Sequence, residues 1–127
     1  MKKRVLIFSI LFLVILGVDC FAQSTEARTR AFQGEWLVIA IDDMDFSKPP
    51  FSEIVETTWI FDGNHYLMKI NNLEERKVEV QSGTFRIIAD GIIFSHQDGV
   101  TQTGTYTLQR DILTINLEGT VIVCRKR

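Results

Sequence analysis

The chain has 127 residues, a formal net charge of −2 and two cysteines. This length accommodates one domain and is short for two. The mild acidity and the lack of a basic block argue against nucleic acid and against an anionic membrane surface as partners, since both require clustered positive charge.

The N-terminal segment 1–22 has the pattern of a secretory signal peptide. A basic start at residues 2–4 precedes a mostly apolar run over 5–18, which is short for a membrane span of about 20 residues. Small residues at 20 and 22 then favour cleavage before Gln23. We therefore expect an exported protein, either periplasmic or secreted.

Cys20 leaves two alternatives open. It could be the lipidated cysteine of a bacterial lipoprotein, which would anchor the protein to a membrane, although Asp19 departs from the small residue that usually precedes such a cysteine. The apolar run could also be retained as an anchor. Palmitate labelling that depends on Cys20 would identify the lipoprotein.

Cleavage after residue 22 removes three of the 14 basic residues and one of the 16 acidic residues, which leaves a net charge of −4. Cys124 is then the one remaining cysteine, so an internal disulfide is impossible. Residues 23–31 are polar and patternless, and we interpret them as a short tether or a frayed helical turn. The remaining domain, 32–127, must rest on its apolar core.

Residues 36–124 are short β-rich runs separated by turn signals about every 8 to 12 residues, a spacing typical of a sandwich or barrel. Short connections make consecutive strands antiparallel neighbours. With no helix to cover one face, such a meander buries its apolar side by closing on itself. The sequence therefore predicts an all-β fold, an antiparallel up-and-down meander of about eight strands. The predicted strands are 36–41, 57–61, 66–70, 77–88, 92–96, 103–108, 112–117 and 120–124.

Two of the predicted hairpins share one pattern at an offset of 21 residues, "SGTFRIIADGIIFS" over 82–95 and "TGTYTLQRDILTIN" over 103–116. We interpret this as one structural requirement met twice, because two copies do not make a solenoid. Phe94 and Ile115 take equivalent places, so we expect them at similar depth. Gly83 opens the first pattern within a long strand, and we interpret it as part of a β-bulge.

Three features resemble the small secreted lipocalin-like domains of bacteria, over residues 32–127. These are Gly34-x-Trp36 at the start of the first strand, a Trp-x-Phe-Asp-Gly-Asn-x-Tyr hairpin over 59–66, and a basic residue near the end of the last strand. The resemblance implies that Trp36 plugs the closed end of the barrel and that the basic residue packs across its indole. Arg125 takes the matching position, because alternation places it on the inward face. No helix packed on the barrel is predicted.

The resemblance also implies a non-catalytic barrel that binds a small apolar or amphipathic molecule in its interior. We expect no metal or cofactor, since His65 and His96 have no further ligand at metal spacing. We expect no enzymatic activity, since the chain carries no nucleophile motif. The predicted lining residues are Val38, Phe61, Met68, Phe85, Phe94, His96, Tyr106 and Ile115.

The alternative function is a protein–protein module of the cell envelope, such as a protease inhibitor or an assembly factor. It requires a filled barrel and an exposed apolar patch around the loop 42–56, which would contact the protein partner. Phe46 and Phe51 in that loop either gate an open mouth or pin the loop to an outer patch at Leu37 and Ile39. The acidic residues at the start of the loop are interpreted as solvated and not as a calcium site.

Overall fold

The computed structural model describes residues 26–127, so the predicted signal peptide, its cleavage site and Cys20 lie outside the described residues. No helix within this range is long and apolar enough to cross a membrane. The elements in chain order are α1 (26–32), β1 (Gly34–Ile41), β2 (Met44–Asp45), α2 (Phe51–Ile54), β3 (Val55–Asp62), β4 (His65–Asn72), β5 (Lys77–Ile88), β6 (Gly91–His96), β7 (Thr101–Gln109), β8 (Ile112–Leu117) and β9 (Thr120–Lys126).

Eight strands form a closed antiparallel barrel in the order β1-β3-β4-β5-β6-β7-β8-β9, and β9 pairs back onto β1. At this closure Trp36 lies opposite Lys126, and Ile41 lies opposite Ile122. The two-residue strand β2 pairs with the end of β1, beside the ring. The predicted all-β meander of about eight strands is confirmed.

Aromatic side chains fill the middle of the barrel. Trp59 stacks on Phe61 and on Phe94, with ring centroids 5.4 and 5.2 Å apart. Phe85 meets Phe61 edge to face at 4.9 Å. These separations are those of favourable aromatic pairs. Aliphatic side chains with 0% exposure complete the core, namely Ile92, Leu113 and Ile115.

One end of the barrel is closed by α1, and we call it the closed end. Phe32 is 0% exposed and points into the barrel, where its ring lies 5.3 Å from that of Phe61 and 5.0 Å from that of Tyr106. The indole Nε1 of Trp36 donates to the carbonyl oxygen of Phe32 at 2.7 Å. The sequence predicts a tether or a frayed turn over 23–31 and no helix on the barrel. The structure instead has a helix that docks here, because burial of its last residue stabilises it.

Strand β9 presents the opposite face from the one predicted. Ile122 and Cys124 are buried, whereas Arg125 is exposed. A shift of one residue moves every side chain of a strand to the other face. Residues 121–124 are all apolar, so alternation within β9 does not distinguish its two faces.

The register irregularity of the barrel lies in β1, whereas the sequence predicts a β-bulge in β5. Its register against β9 shifts between Val38 and Ala40, after which Ala40 lies opposite Val123 and Ile41 packs against the core. The bulge predicted at Gly83 is wrong, because β4 and β5 pair without a register shift.

Gly83 and Gly104 serve close strand packing. An added Cβ would lie 2.2 Å from the carbonyl oxygen of Ser95 at Gly83, and 2.1 Å from that of Asn116 at Gly104. Ser95 and Asn116 are themselves equivalent in the two 21-residue-offset hairpins. The repeated pattern therefore meets one structural requirement twice. At each glycine, the backbone of the neighbouring strand comes too close for a side chain. The equivalent residues Phe94 and Ile115 are both 0% exposed, which confirms their similar depth.

The other end of the barrel is open, and the β4–β5 hairpin extends beyond its neighbours there. Every residue of β4 pairs with β5, over residues 77–84 of β5, whereas β6 pairs with β5 only from Gly83 to Ile88. The first half of β5 therefore has a strand on one side only.

The loop after β2 lies against the outer wall. The backbone N–H of Phe46 donates to the carbonyl oxygen of Ile39 at 2.8 Å, and the ring of Phe46 lies 5.5 Å from that of Phe51. This arrangement favours the interpretation in which the two phenylalanines pin the loop.

Candidate functional site

A cleft of ≈ 610 Å³ lies at the open end, between the β4–β5 hairpin and the turn from β6 to β7. We call it the open-end cleft. Polar and apolar side chains both contribute to it, a mixture typical of sites for small amphipathic ligands. The lining residues are Tyr66, Val80, Gln81, Ser82, His96, Gln97, Asp98, Val100 and Gln102.

A row of three residues across neighbouring strands builds the inner wall of the cleft. Tyr66 on β4 lies opposite Gly83 on β5, and Gly83 lies opposite His96 on β6. Residues directly opposite one another share a face of the sheet. An added Cβ at Gly83 would lie 2.8 Å from Cε2 of Tyr66. The glycine therefore allows two side chains to meet across the strand between them.

Tyr66, His96 and Gln102 form a hydrogen-bonded cluster. Tyr66 Oη bonds to Nδ1 of His96, and Nε2 of His96 lies 2.6 Å from Oε1 of Gln102. An amide oxygen only accepts, so Nε2 carries the proton of the neutral imidazole and Nδ1 of that tautomer accepts from the phenol. The imidazole also stacks on the ring of Phe94 at 6.2 Å. These contacts orient all three polar side chains before any ligand arrives.

Burial raises the pKa of the Tyr66 phenol, and the negative charge of Asp98 raises it further. The phenol therefore keeps its proton at neutral pH and remains a hydrogen-bond donor. Asp98 is held in the β6–β7 turn, where its carboxylate accepts from the backbone N–H of Val100 at 2.9 Å. The backbone N–H of His96 donates to the carbonyl oxygen of Val100 at 2.8 Å, which fixes this turn against the cleft.

The cleft keeps hydrogen-bonding capacity for a ligand. Gln102 retains two amide N–H donors after its oxygen has accepted from His96. Asp98 supplies a negative charge, and Val80 and Val100 are 53% and 51% exposed. The arrangement suits a molecule with an apolar body and a polar or cationic group. Within residues 26–127, no three His, Cys, Asp or Glu side chains are grouped so as to hold a metal ion.

The predicted lining residues separate into two groups. His96 lies in the open-end cleft, whereas Met68 and Tyr106 are partly buried and pack against the core. Five others are core residues with exposures of 3% or less: Val38, Phe61, Phe85, Phe94 and Ile115. The structure therefore brings one predicted site residue to the cleft and most of the others to the packed interior.

The predicted barrel-end residues lie at the closed end, with one correction. Trp36 is 1% exposed, and Nζ of Lys126 lies 4.7 Å from the centroid of its indole. The same ammonium donates to the carbonyl oxygen of Gln33. Arg125 instead lies opposite Leu37 and is exposed. The predicted cation on the indole is therefore wrong by one residue, because the two faces of β9 are exchanged.

Tyr66 and Gln102 were not predicted as site residues. The sequence does place Tyr66 on the inward face, but it predicts that β7 begins at Thr103. Extending β7 to Thr101, as the structure does, keeps the alternation and brings Gln102 inward with Gly104. The signal for Gln102 is therefore a polar residue at an inward position near a strand end, where burial in the apolar core would be costly.

Comparison with known proteins supports the fold alone. The chain is similar to an uncharacterized protein from Bacteroides eggerthii whose crystal structure is known, with a TM-score of 0.58 and 16% sequence identity over 76% of this chain and 99% of that one. No family model matches this chain, and no curated protein matches it.

Proposed function

We propose that the protein is an exported, non-catalytic, lipocalin-like barrel that binds a small amphipathic molecule in the open-end cleft. The observation that carries this proposal is the Tyr66–His96–Gln102 cluster, whose polar atoms are oriented by one another inside a cleft of ≈ 610 Å³. Ligand sites commonly combine a few placed polar groups with apolar walls.

The packed interior favours ligand binding in the open-end cleft and disfavours binding at the centre of the barrel. Trp59, Phe61 and Phe94 are each 1% exposed or less, and Trp59 stacks on the other two rings. Opening a cavity among such rings would cost several kcal/mol. A ligand at the open end avoids this cost and meets exposed Val80 and Val100.

Fluorescence titration with the neutral amphipathic dye Nile red tests the proposal. We expect saturable binding with one site, and a loss of about fivefold in affinity for Gln102→Ala, since one hydrogen bond contributes about 1 kcal/mol. Gln109→Ala is the matched control, because Gln109 is an exposed glutamine at the far end of the same strand. Native mass spectrometry of protein from its own host would identify the natural ligand.

Two outcomes would contradict the proposal. The first is a well-folded protein that binds no amphipathic probe. The second is equal weakening by the Gln102 and Gln109 variants, which would place the dye away from the cluster.

The second candidate function is a protein–protein module of the cell envelope, such as a protease inhibitor or an assembly factor. The packed interior favours this function, because a barrel without an internal cavity must bind its partners through its outer surface. Its expected contact region is the loop 42–56, where the exposed fraction of Met44 is 41%. Retained binding of a partner after Met44→Ser would count against that region.

A further inference from the structure

The lining of the open-end cleft has a formal charge, and that charge is negative. Among the described residues that line the cleft, Asp98 is the one acid, and none is a lysine or an arginine. His96 is neutral in the observed arrangement, because its Nδ1 accepts from the phenol of Tyr66 while its Nε2 donates to Gln102. A charged ligand in this cleft therefore meets a carboxylate and no cation.

The carboxylate of Asp98 keeps one oxygen for a ligand. Its Oδ1 accepts from the backbone N–H of Val100 at 2.9 Å, which holds the side chain in the β6–β7 turn. Within the described chain, its Oδ2 has no hydrogen-bond partner, although a carboxylate oxygen accepts readily. The same carboxylate raises the pKa of the Tyr66 phenol, so its charge reaches the hydrogen-bonded cluster of the cleft.

The basic residues of the β4–β5 hairpin lie outside the lining of the cleft. Lys69 is on β4 opposite Val80, one strand away from the cleft. Lys77 lies four residues before Gln81, which is about 13 Å along β5, and Glu79 stands between them on the same face. The hairpin therefore places no cation beside Asp98 that would neutralise it.

The segments around the open end extend this negative charge. They contain nine acidic and three basic residues, whereas the segments at the closed end contain five acidic and seven basic residues. The open-end segments are 42–54, 73–82, 97–100 and 118–119, and the closed-end segments are 26–35, 62–65, 86–91, 110–111 and 125–127. A cleft surrounded by charge of one sign raises the local concentration of ligands of the opposite sign.

Building on the proposed function, we propose that the ligand of the open-end cleft is a cationic amphiphile whose ammonium N–H groups donate to Oδ2 of Asp98. Its apolar chain packs on Val80 and Val100, which are 53% and 51% exposed. Val100 follows Asp98 by two residues, so apolar surface begins beside the carboxylate. An anionic amphiphile would instead set its head group against a like charge.

The same lining favours an ammonium that carries N–H groups over a quaternary ammonium. Quaternary ammonium ligands are typically held in cages of aromatic rings, and among the described lining residues Tyr66 supplies the one phenol ring. A charge-assisted hydrogen bond to a carboxylate is shorter and stronger than a neutral one. The free oxygen of Asp98 therefore suits a primary ammonium.

Displacement of bound Nile red by three amphiphiles of equal chain length tests the sign of the charge. Dodecylammonium, dodecyltrimethylammonium and dodecanoate are titrated at neutral pH, each below its micelle-forming concentration. We expect dodecylammonium to displace the dye at a concentration at least about tenfold lower than dodecanoate, since a hydrogen bond to a charged group contributes about that factor. Dodecyltrimethylammonium should fall between the two.

Asp98→Asn removes the charge and keeps an oxygen that accepts from the N–H of Val100, so the turn is retained. We expect the preference for dodecylammonium over dodecanoate to fall to about twofold, because the remaining acidic residues act from a distance and are screened by salt. Asp111→Asn is the matched control. It removes the same charge from an exposed turn at the closed end and should leave the preference unchanged.

The outcomes separate this inference from the proposed function. Displacement by dodecanoate at an equal or lower concentration than dodecylammonium, or an unchanged preference in Asp98→Asn, would overturn the cationic ligand while amphiphile binding stands. Equal displacement by the two cations would overturn the N–H contact to Asp98. Failure of the unchanged protein to bind Nile red or any of the three amphiphiles would overturn the proposed function, and this inference with it.

Discussion

The indole of Trp36 is held on two sides by a backbone carbonyl and a lysine ammonium. Nε1 donates to Phe32, and Nζ of Lys126 lies 4.7 Å from the ring centroid. Gly34 makes room for that ammonium, since a Cβ there would lie 3.0 Å from Nζ. The spacing of Gly34 and Trp36 thus has a physical reason. The glycine has no side chain and leaves space for the lysine ammonium that packs on the indole.

Replacing this cation tests the corrected assignment. Lys126→Met should lower the free energy of unfolding by about 1 kcal/mol, through loss of the cation–π contact and of the bond to Gln33. Arg125→Met, the matched control on the outer face, should change it by less than about 0.5 kcal/mol. Urea denaturation of both variants measures the difference. A larger loss for Arg125→Met would contradict the observed faces of β9.

Cys124 is expected to be inert in the folded protein. Burial raises the pKa of its thiol from 9.0 to about 12, so at pH 8 it holds about a thousandfold less thiolate than a free cysteine. Ellman's reagent should label it only after urea is added, with Cys20→Ser used to remove the other thiol. Labelling of Cys124 at an equal rate with and without urea would contradict its burial.

The same thiol contributes to the pH dependence of stability. Its pKa is raised in the folded state, so the folded protein holds the proton more tightly than the unfolded chain does. This contribution is fully present below pH 9 and is lost as pH rises through about 12. The raised pKa of Tyr66 acts in the same direction. We therefore expect alkaline destabilisation that is smaller in Cys124→Ala once the lower baseline stability is subtracted.

At the scale of single strands, the glycine of β5 determines both packing and the site. Gly83→Ala would place a Cβ 2.2 Å from the Ser95 carbonyl oxygen, which forces β5 and β6 apart. We expect a loss of about 2–3 kcal/mol in the free energy of unfolding, as is usual for an overpacked site. Gly119→Ala is the control, since Gly119 in the β8–β9 turn has φ +94° and open space around it and should cost about 1 kcal/mol from backbone strain alone.

The Gly83→Ala variant also tests whether the glycine positions the side chains of the open-end cleft, apart from its effect on stability. Because the added methyl group would lie between Tyr66 and His96, the imidazole signals of His96 in NMR should shift in Gly83→Ala and stay unchanged in Gly119→Ala. Identical stabilities of the two variants, measured by thermal unfolding, would contradict the close approach of the strands.

At the scale of the whole molecule, the barrel depends on contact between its first and last strands. β9 contributes buried Ile122 and Cys124 and closes the ring on β1. A chain that ends at residue 119 would leave two open edges and an exposed core, so we expect it not to fold. Tryptophan emission should shift to the red, because Trp36 and Trp59 are each 1% exposed in the folded barrel.

Removal of Arg127 alone is the control for this truncation. Its guanidinium bonds to the hydroxyl of buried Thr58 at 2.9 Å and lies 3.6 Å from exposed Glu56. The loss of one hydrogen bond and one exposed ion pair should cost about 1 kcal/mol. Cooperative unfolding of the 1–119 chain with a blue-shifted emission would contradict the role of β9 in closure.

The sequence by itself determined the class of fold and the order of the strands. Asx-Gly turns, short connections and alternating apolar residues leave few arrangements other than an antiparallel meander that closes. The placement of Trp36 on the inward face of β1 also follows from local alternation. These properties depend on neighbours in the chain, which a sequence displays directly.

Only the tertiary structure decided which face of β9 is inward, how α1 closes the barrel and which residues meet at the mouth. The apolar run 121–124 has no alternation, so pairing with β1 and β8 selects Ile122 and Cys124 for the core. Tyr66 and His96 are 30 residues apart and meet across Gly83. Such contacts arise from register between strands, a property of pairs of segments that no single stretch of sequence contains.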